Sequence, residues 1–281
     1  PIDMVIALKC PAYLVPHQRR VVWLIHQHRS AYELWDHPEF ADLGKQIEGP
    51  QVRDMVQQSD RIALGEAKRI FTNSKNVQDR LWNSLRLSSD VLYHPSPIVE
   101  ALLPLEPGPY GDAVVFPSRL EGLKRQSLVV EAMRHVKTGV RLVLVGSGPD
   151  EDALREQIEK YGLQNKVELA GRVSDDRLHQ LYLEALGVYY GPFDEDYGYV
   201  TLEGFAARRP VVTLTDAGGP LEFVTDGETG LVTPPEPQAI AHAFDRLFSN
   251  RPLAKKMGEA GNEKLRATVP GWPEVVARLT E

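Results

Sequence analysis

The stretch VRLVLVGSGPDEDALREQIEKY, residues 140–161, contains the pattern that decides the fold. Its first part, 140–146, is a continuous run of valine and leucine, as expected for a strand that helices cover on both faces. After a turn, residues 150–161 have the spacing of an amphipathic helix. This segment therefore predicts a strand and a crossover helix of a parallel sheet.

The same alternation repeats from residue 112 onward. Further strands are predicted at 113–117, 166–170, 186–190, 210–214 and 230–232. Helices are predicted at 123–137, 175–184, 198–207 and 220–226, followed by two more at 238–248 and 252–267. The predicted fold class is α/β, with a doubly wound parallel sheet of Rossmann type.

Residues before 112 show the same rhythm over a shorter length. Strands are predicted at 3–8, 20–26, 69–72 and 91–93, and helices at 51–67 and 75–85. A Rossmann-type lobe usually has about six strands. Because the chain starts with Pro1 inside a strand-like run, we expect the opening part of this first lobe to be missing.

Proline and glycine mark the predicted domain boundaries. Five prolines lie between residues 94 and 112 and predict an interdomain linker. The predicted organisation is a partial first lobe at 1–103, a linker at 104–112 and a second lobe at 113–267. A C-terminal helix within 268–281, after the break at 270–271, is predicted to fold back on the first lobe.

Composition excludes several classes of protein. The net charge is −7 and the basic residues are scattered, which argues against nucleic-acid binding. The only cysteine, Cys10, excludes an internal disulfide and fits a reducing cytoplasm. No apolar run approaches the roughly 18 residues that a membrane-spanning helix needs.

The most informative motif is GPFDEDYGYVTLE, residues 191–203. It joins a predicted strand to a predicted helix at the carboxyl edge of the sheet, where ligands bind in such folds. Gly198 lets the backbone approach a ligand closely, and the amides of Gly198, Tyr199 and Val200 open the helix. This arrangement predicts an anion site, with phosphate as the expected anion.

Two carboxylates, Glu195 and Glu203, flank this anion site. Since carboxylates do not bind an anion, we expect them to accept hydrogen bonds from hydroxyl groups on its two sides. Those hydroxyls would belong to a sugar at one end of a diphosphate and a ribose at the other. The alternative is that Glu195 is a solvated loop acid and Glu203 a surface residue of the helix.

Positive charge follows the strand at 113–117. Arg119 and Lys124 form the expected cation pair for a diphosphate, although both could be ordinary surface residues. Other predicted donor contacts follow neighbouring strands at the same edge and are Ser118, Gly146, Arg172 and Val173.

Across about 110–260, the second lobe resembles the donor domain of retaining GT-B glycosyltransferases of family 4, the glycosyl transferases group 1. The matching segments, in the order of that family, are SRL at 118–120 with Lys124, LVLVGSGP at 142–149, VELAGRV at 167–173, EDYGYVTLE at 195–203, PVV at 210–212, AGGPLE at 217–222 and DGETGLV at 226–232. The resemblance implies that Glu195 contacts the donor sugar, that Glu203 contacts the nucleotide ribose, and that Arg119 and Lys124 hold the diphosphate.

The first lobe resembles the later half of the acceptor domain of that family, in VVWLIHQHR at 21–29 and RIFTNSKNV at 69–77. His26 and His28 are therefore predicted to face the cleft between the lobes, with His26 as a catalytic candidate. Arg29 and Tyr32 are further candidates on the acceptor side. The alternative is that both histidines are strand-end residues satisfied by backbone groups.

The sequence also departs from the family pattern. The glycine-rich loop near the start of family members has no counterpart, Arg125 stands where glycine is usual, and Gly204 where alanine is usual. Glycine costs about 1 kcal/mol of helix propensity, so Gly204 predicts close packing at this point of the helix.

The resemblance implies transfer of a sugar, with retention, from a UDP- or GDP-sugar to a hydroxyl of a sugar, lipid or small-molecule acceptor. It implies no metal and no cofactor, and a place in polysaccharide, glycolipid or glycoconjugate synthesis. A lipid acceptor would bring this cytoplasmic protein to the inner membrane surface. Two alternatives stay open: a sugar-nucleotide epimerase or hydrolase, and a nucleotide-sugar-binding subunit that needs a partner or the missing segment for activity.

Overall fold

The computed structural model describes residues 2–281, which form two compact units. Unit 1 contains residues 2–94 and 270–281, and unit 2 contains residues 95–269. The division at residue 94 differs from the boundary of 103 expected from composition, because residues 95–103 have their contacts within unit 2.

Unit 1 begins with a four-stranded parallel sheet in the order β1-β2-β3-β4. The strands are β1 Val5–Ala7, β2 Arg20–Leu24, β3 Arg69–Thr72 and β4 Asp90–Val91. Helices α1 Gly49–Gly65 and α2 Lys75–Leu85 join successive strands. Strand β2 ends two residues before the predicted end at 26.

Unit 2 contains a six-stranded parallel sheet in the order β10-β9-β8-β5-β6-β7. It opens with α3 Pro97–Leu102. Its strands are β5 Ala113–Pro117, β6 Arg141–Val145, β7 Val167–Gly171, β8 Gly187–Tyr189, β9 Val211–Leu214 and β10 Gly230–Thr233. Its other helices are α4 Gln126–Ala132, α5 Glu151–Lys160, α6 Asp175–Glu184, α7 Tyr199–Ala206, α8 Pro220–Phe223, α9 Pro237–Ser249 and α10 Arg251–Thr268. The predicted parallel α/β fold is confirmed.

The apolar strands of unit 2 are covered on both faces. Alternate residues of β5 point in opposite directions: Val114 and Phe116 belong to one core cluster and Val115 to the other. Leu144 and Val145 divide in the same way on β6. Burial on both faces explains why these strands are continuously apolar rather than alternating.

The last helix, α11 Trp272–Thr280, belongs to unit 1. Its buried residues Val275 and Leu279 pack in one cluster with Trp23 and Phe71 of the sheet. The C-terminal helix therefore completes one of the hydrophobic clusters of unit 1.

Local sequence signals set several helix starts. The hydroxyls of Ser74, Ser96 and Ser174 accept hydrogen bonds from backbone amides in the first turns of α2, α3 and α6. Each cap satisfies one of the amides that an α-helix leaves without an intrahelical partner.

Candidate functional site

The connections of the unit 2 sheet change direction between β5 and β8. From β5 the chain proceeds outward to β6 and β7, and then returns to place β8 on the other side of β5. In open parallel sheets, ligands bind outside the carboxyl ends of the strands at such a switch point. Among the predicted site residues, the loops that follow β5 and β8 contain Ser118, Arg119, Lys124, Glu195 and Gly198.

Lys124 and Glu195 meet across this switch point. The Nζ atom of Lys124 donates to Oε2 of Glu195 and lies 3.3 Å from the hydroxyl of Tyr190, and the Lys124 and Glu195 side chains are 18% exposed. Burial, followed by the charge of Glu195, raises the pKa of Tyr190 well above its ordinary value, so this hydroxyl stays neutral. The structure thus joins two predicted site residues that are 71 positions apart.

The backbone of Glu195 is held by the turn that follows β9. Its amide donates to the carbonyl of Ala217 at 2.8 Å, and its carbonyl accepts from the amide of Gly219 at 2.8 Å. A Cβ atom on Gly219 would lie 2.7 Å from the carbonyl oxygen of Tyr197. Glycine is therefore required here, and the two loops position the Glu195 carboxylate.

Arg125 also holds the loop that follows β8 and the turn that follows β9. Its guanidinium forms two hydrogen bonds to the Asp216 carboxylate, at 2.7 and 2.8 Å, and another to the carbonyl of Gly191 at 2.9 Å. Its φ of 56° lies in the left-handed region, which explains why glycine suits this position. The sequence showed the departure from glycine but did not indicate this clamp.

The left-handed residue also corrects a predicted helix. The expected helix at 123–137 is a short 3-10 helix, Gly122–Lys124, then Arg125, then α4. A left-handed residue cannot continue a right-handed helix, so the chain turns directly after Lys124.

Helix α7 begins where the sequence predicts an anion site. Gly198 precedes the first helical residue with a φ of 92°, and a Cβ atom there would lie 2.8 Å from Cγ of Pro220. Tyr199 is 40% exposed, whereas the Val200 side chain packs against the core. Any contact of Val200 with a ligand at the helix start is therefore through its backbone.

Glu203 is buried, so the alternative of a surface helix residue is wrong. Its side chain is 5% exposed and accepts hydrogen bonds from the Tyr182 hydroxyl at 2.5 Å and the Ser96 hydroxyl at 3.4 Å. Burial raises the pKa of Glu203, and the two hydroxyls partly oppose that effect. Neither hydroxyl was identified from the sequence, because both come from other helices.

A cleft of about 690 Å³ lies beside this edge of the sheet. Gly146, with a φ of 130°, lies very close to the loop that follows β5. A Cβ atom on Gly146 would lie 2.1 Å from the Ser118 carbonyl oxygen. Nε of Arg172 donates to Oγ of Ser147 at 2.8 Å. The predicted donor residues that line this cleft are Ser118, Arg119, Gly146, Arg172 and Val173.

Three of the four acceptor-side candidates, His26, Arg29 and Tyr32, form side-chain hydrogen bonds within unit 1, and the fourth, His28, is exposed. Nδ1 of His26 donates to the carbonyl of Gln27 at 2.7 Å. Nε of Arg29, which follows His28, donates to Glu33 at 2.8 Å. The hydroxyl of Tyr32 donates to Asp60 at 2.8 Å, and burial raises its pKa. The roles of these four candidates towards an acceptor stay predictions.

Residues 2–281 contain neither a membrane-spanning helix nor a cluster of metal-binding side chains. No helix in this range has the length and apolarity needed to cross a membrane. Nor does any group of three or more His, Cys, Asp or Glu side chains in this range have an arrangement that could hold a metal ion.

The two parallel α/β units define a fold of the GT-B class, which solved structures share. Sucrose-phosphate synthase from Thermosynechococcus elongatus aligns over 95% of this chain and 67% of its own, with a TM-score of 0.74 and 20% identity. Anabaena HepE in complex with UDP and glucose aligns over 92% of this chain and 76% of its own, with a TM-score of 0.68 and 19% identity.

The family model of the glycosyl transferases group 1 matches residues 111–264, and the chain belongs to this family. Among relatives, the alpha-1,3/1,6-mannosyltransferase ALG2 of Dictyostelium discoideum is 33% identical over 40% of this chain and 26% of its own length. A GDP-mannose-dependent phosphatidylinositol monomannoside mannosyltransferase of Mycobacterium tuberculosis is 32% identical over 60% of this chain and 46% of its own. The chain spans less than half the length of these two relatives.

Proposed function

We propose that this protein transfers a sugar from a nucleoside diphosphate sugar to an acceptor hydroxyl, with retention at the anomeric carbon. The observation that carries the proposal is the Lys124–Glu195 pair across the switch point of the unit 2 sheet. The start of α7 and the cleft beside Arg119 lie at the same edge. This set suits a diphosphate with a sugar at one end and a nucleoside at the other.

In this proposal the diphosphate is held by positive charge and backbone amides. Lys124, Arg119 and the first amides of α7 stabilise the negative charge that develops on the leaving phosphate. Glu195 accepts hydrogen bonds from hydroxyls of the transferred sugar and keeps Lys124 in position. Glu203 accepts a hydrogen bond from a ribose hydroxyl, which replaces the Ser96 hydroxyl. The Ser96 hydrogen bond, at 3.4 Å, is the longer of the two that Glu203 accepts.

The reaction breaks the bond between the anomeric carbon and the phosphate oxygen and forms a bond from that carbon to the acceptor oxygen. The acceptor proton moves to the departing phosphate oxygen on the same face, which gives retention. This route needs no nucleophile from the protein, and Glu195 is already assigned to hydroxyl binding. The role of the site is to stabilise the transition state rather than to bind substrate more tightly.

The names of relatives and structural neighbours suggest which donor nucleotide this protein uses. The relatives include an enzyme named for GDP-mannose, and the structural neighbours include complexes with UDP. We therefore propose a UDP- or GDP-sugar donor and a sugar, lipid or small-molecule acceptor. A lipid acceptor would place the reaction at the cytoplasmic membrane surface.

Two measurements test the proposal: nucleotide binding to the unchanged protein, and the turnover of one variant. UDP or GDP at 100 times its dissociation constant should stabilise the protein by about 2.7 kcal/mol, measured as a thermal shift. Lys124→Ala should lower turnover by about 100-fold or more with a smaller change in affinity, because it removes a transition-state contact. Lys255→Ala is the control, since Lys255 is 66% exposed on α10 and forms only a surface ion pair.

Two results would contradict the proposal. If neither nucleoside diphosphate shifts the melting temperature, the donor site is wrongly assigned. If product analysis shows free sugar or an isomerised nucleotide sugar both with and without acceptors, the protein is a hydrolase or an epimerase.

A further inference from the structure

A second polar pocket lies entirely within unit 1; Tyr32 is among its lining residues, and the proposed reaction uses none of its three arginines. It has a volume of about 450 Å³, within the range of about 300–1,000 Å³ that small-molecule sites occupy. Its walls come from the loop after β2 and from the facing sides of α1 and α2.

Positive charge dominates this pocket. Arg53, Arg61 and Arg80 line it, and Glu33 is its one lining carboxylate among the described residues. Glu33 is already neutralised, because its Oε1 atom lies 2.8 Å from Nε of Arg29 and 3.3 Å from Nη1 of Arg80. In a protein with a net charge of −7, this local excess of arginine favours an anionic ligand.

Arg53 is held in place by two contacts within unit 1. Nε of Arg53 donates to the carbonyl of Ala31 at 3.1 Å, and its guanidinium stacks on Trp35 at 4.5 Å from the ring centre. This hydrogen bond uses Nε of Arg53, and the two terminal nitrogens of a guanidinium form a planar fork that matches the geometry of phosphate. Arg61 lies two helical turns further along the same face of α1.

Neutral polar groups line the remainder of the pocket. Gln27 is 5% exposed, and its Oε1 atom accepts a hydrogen bond from the Ser84 hydroxyl. Gln57 and Asn83 also line the pocket. Amide side chains both donate and accept hydrogen bonds, so they are suited to hydroxyl groups.

We propose that this pocket binds a small phosphorylated sugar, with the phosphate on Arg53, Arg61 and Arg80 and the sugar hydroxyls on the neighbouring amides. The volume exceeds that of phosphate alone, and the amide groups indicate a polyol for the remainder. The proposal concerns unit 1 alone and goes beyond the proposed reaction.

Isothermal titration calorimetry of the full chain tests this inference with a panel of hexose 1-phosphates and 6-phosphates, the free hexoses, glucuronate and inorganic phosphate. We expect saturable binding of a hexose phosphate, with free hexose and inorganic phosphate each at least about tenfold weaker. Arg61→Gln should weaken hexose phosphate binding about tenfold, since it removes one charge-assisted contact. Arg19→Gln, a change at an exposed arginine of unit 1 outside the pocket, should leave the binding unchanged.

The inference is overturned if no hexose phosphate binds, if glucuronate binds as tightly as the phosphates, or if Arg61→Gln and Arg19→Gln behave alike. UDP and GDP binding to Arg61→Gln, measured in the same way, should equal that of the unchanged protein. These nucleotide measurements thus distinguish a wrong assignment of the unit 1 pocket from a wrong assignment of the donor site in unit 2.

Discussion

At the scale of single residues, the two glutamates of the candidate site, Glu195 and Glu203, lie in different surroundings. Lys124 and Glu195 neutralise each other at a partly exposed position. Glu203, in contrast, is surrounded by protein, and its partners are the neutral hydroxyls of Tyr182 and Ser96. The carboxylate of Glu195 is thus paired with a cation, whereas the described partners of the Glu203 carboxylate are neutral.

Burial of Glu203 predicts a measurable pH dependence of stability. Its folded pKa is raised above the ordinary 4.5, so above that pH the folded state binds more protons than the unfolded state. The free energy of unfolding should then fall as pH rises from 4.5 to the folded pKa. Glu203→Gln should flatten this fall, as measured by urea unfolding between about pH 5 and pH 8.

Glu156→Gln is the matched control for this experiment, because Glu156 is exposed on α5. Its pH profile should follow that of the unchanged protein. If the pH profile of Glu203→Gln also matched that of the unchanged protein, the buried carboxyl of Glu203 would not control the pH dependence of stability.

Arg125 shows what a family pattern conveys about one residue. The sequence indicated that glycine is usual there, which correctly suggests an unusual backbone conformation. It did not indicate that arginine occupies the left-handed region while its guanidinium binds Asp216. That pairing depends on a partner 91 positions away, which no local pattern specifies.

At the scale of secondary structure elements, α7 is held unusually close to the sheet. A Cβ atom on Gly204 would lie 3.0 Å from Cγ2 of Val211 and 3.1 Å from Cγ2 of Val188. The close packing predicted from a glycine inside a helix is confirmed. Since α7 opens at the proposed anion site, this packing also sets the position of that site.

Gly204→Ala should therefore destabilise the protein despite the better helix propensity of alanine. Overpacking costs about 1–3 kcal/mol and the propensity gain is about 1 kcal/mol, so we expect a net loss of about 1 kcal/mol. Denaturant unfolding measures the difference.

Gly65→Ala provides the control, because Gly65 ends α1 and a Cβ atom there would meet nothing within 4 Å. This change should stabilise the protein by about 0.5 kcal/mol. A stabilising effect of both alanines would show that α7 has room to move.

At the scale of the whole molecule, the chain crosses between its two units twice, so that unit 1 contains both ends of the described chain. The four tryptophans, Trp23, Trp35, Trp82 and Trp272, all belong to unit 1. Tryptophan fluorescence therefore reports on the unfolding of unit 1, and unit 2 needs another probe.

Two adjacent valines of α11 test how much the C-terminal helix contributes to unit 1. Val275 is 0% exposed in the cluster with Trp23, whereas Val276 is 52% exposed. Val275→Ala should lower the free energy of unfolding by about 2 kcal/mol, followed by tryptophan fluorescence. Val276→Ala should change it by less than about 0.5 kcal/mol. Equal effects would mean that α11 does not stabilise the core.

The sequence by itself determined the parallel α/β fold class and the positions of most strands and helices, because hydrophobic periodicity is a local property that neighbouring residues carry. It also indicated residues at the carboxyl edge of unit 2, since these lie in the segments that join strands to helices. Only the tertiary structure decided that Lys124 meets Glu195, that Arg125 clamps Asp216, that Glu203 is buried, and that three arginines of unit 1 line one pocket. These contacts join residues far apart in the chain, and strand order and helix packing bring them together.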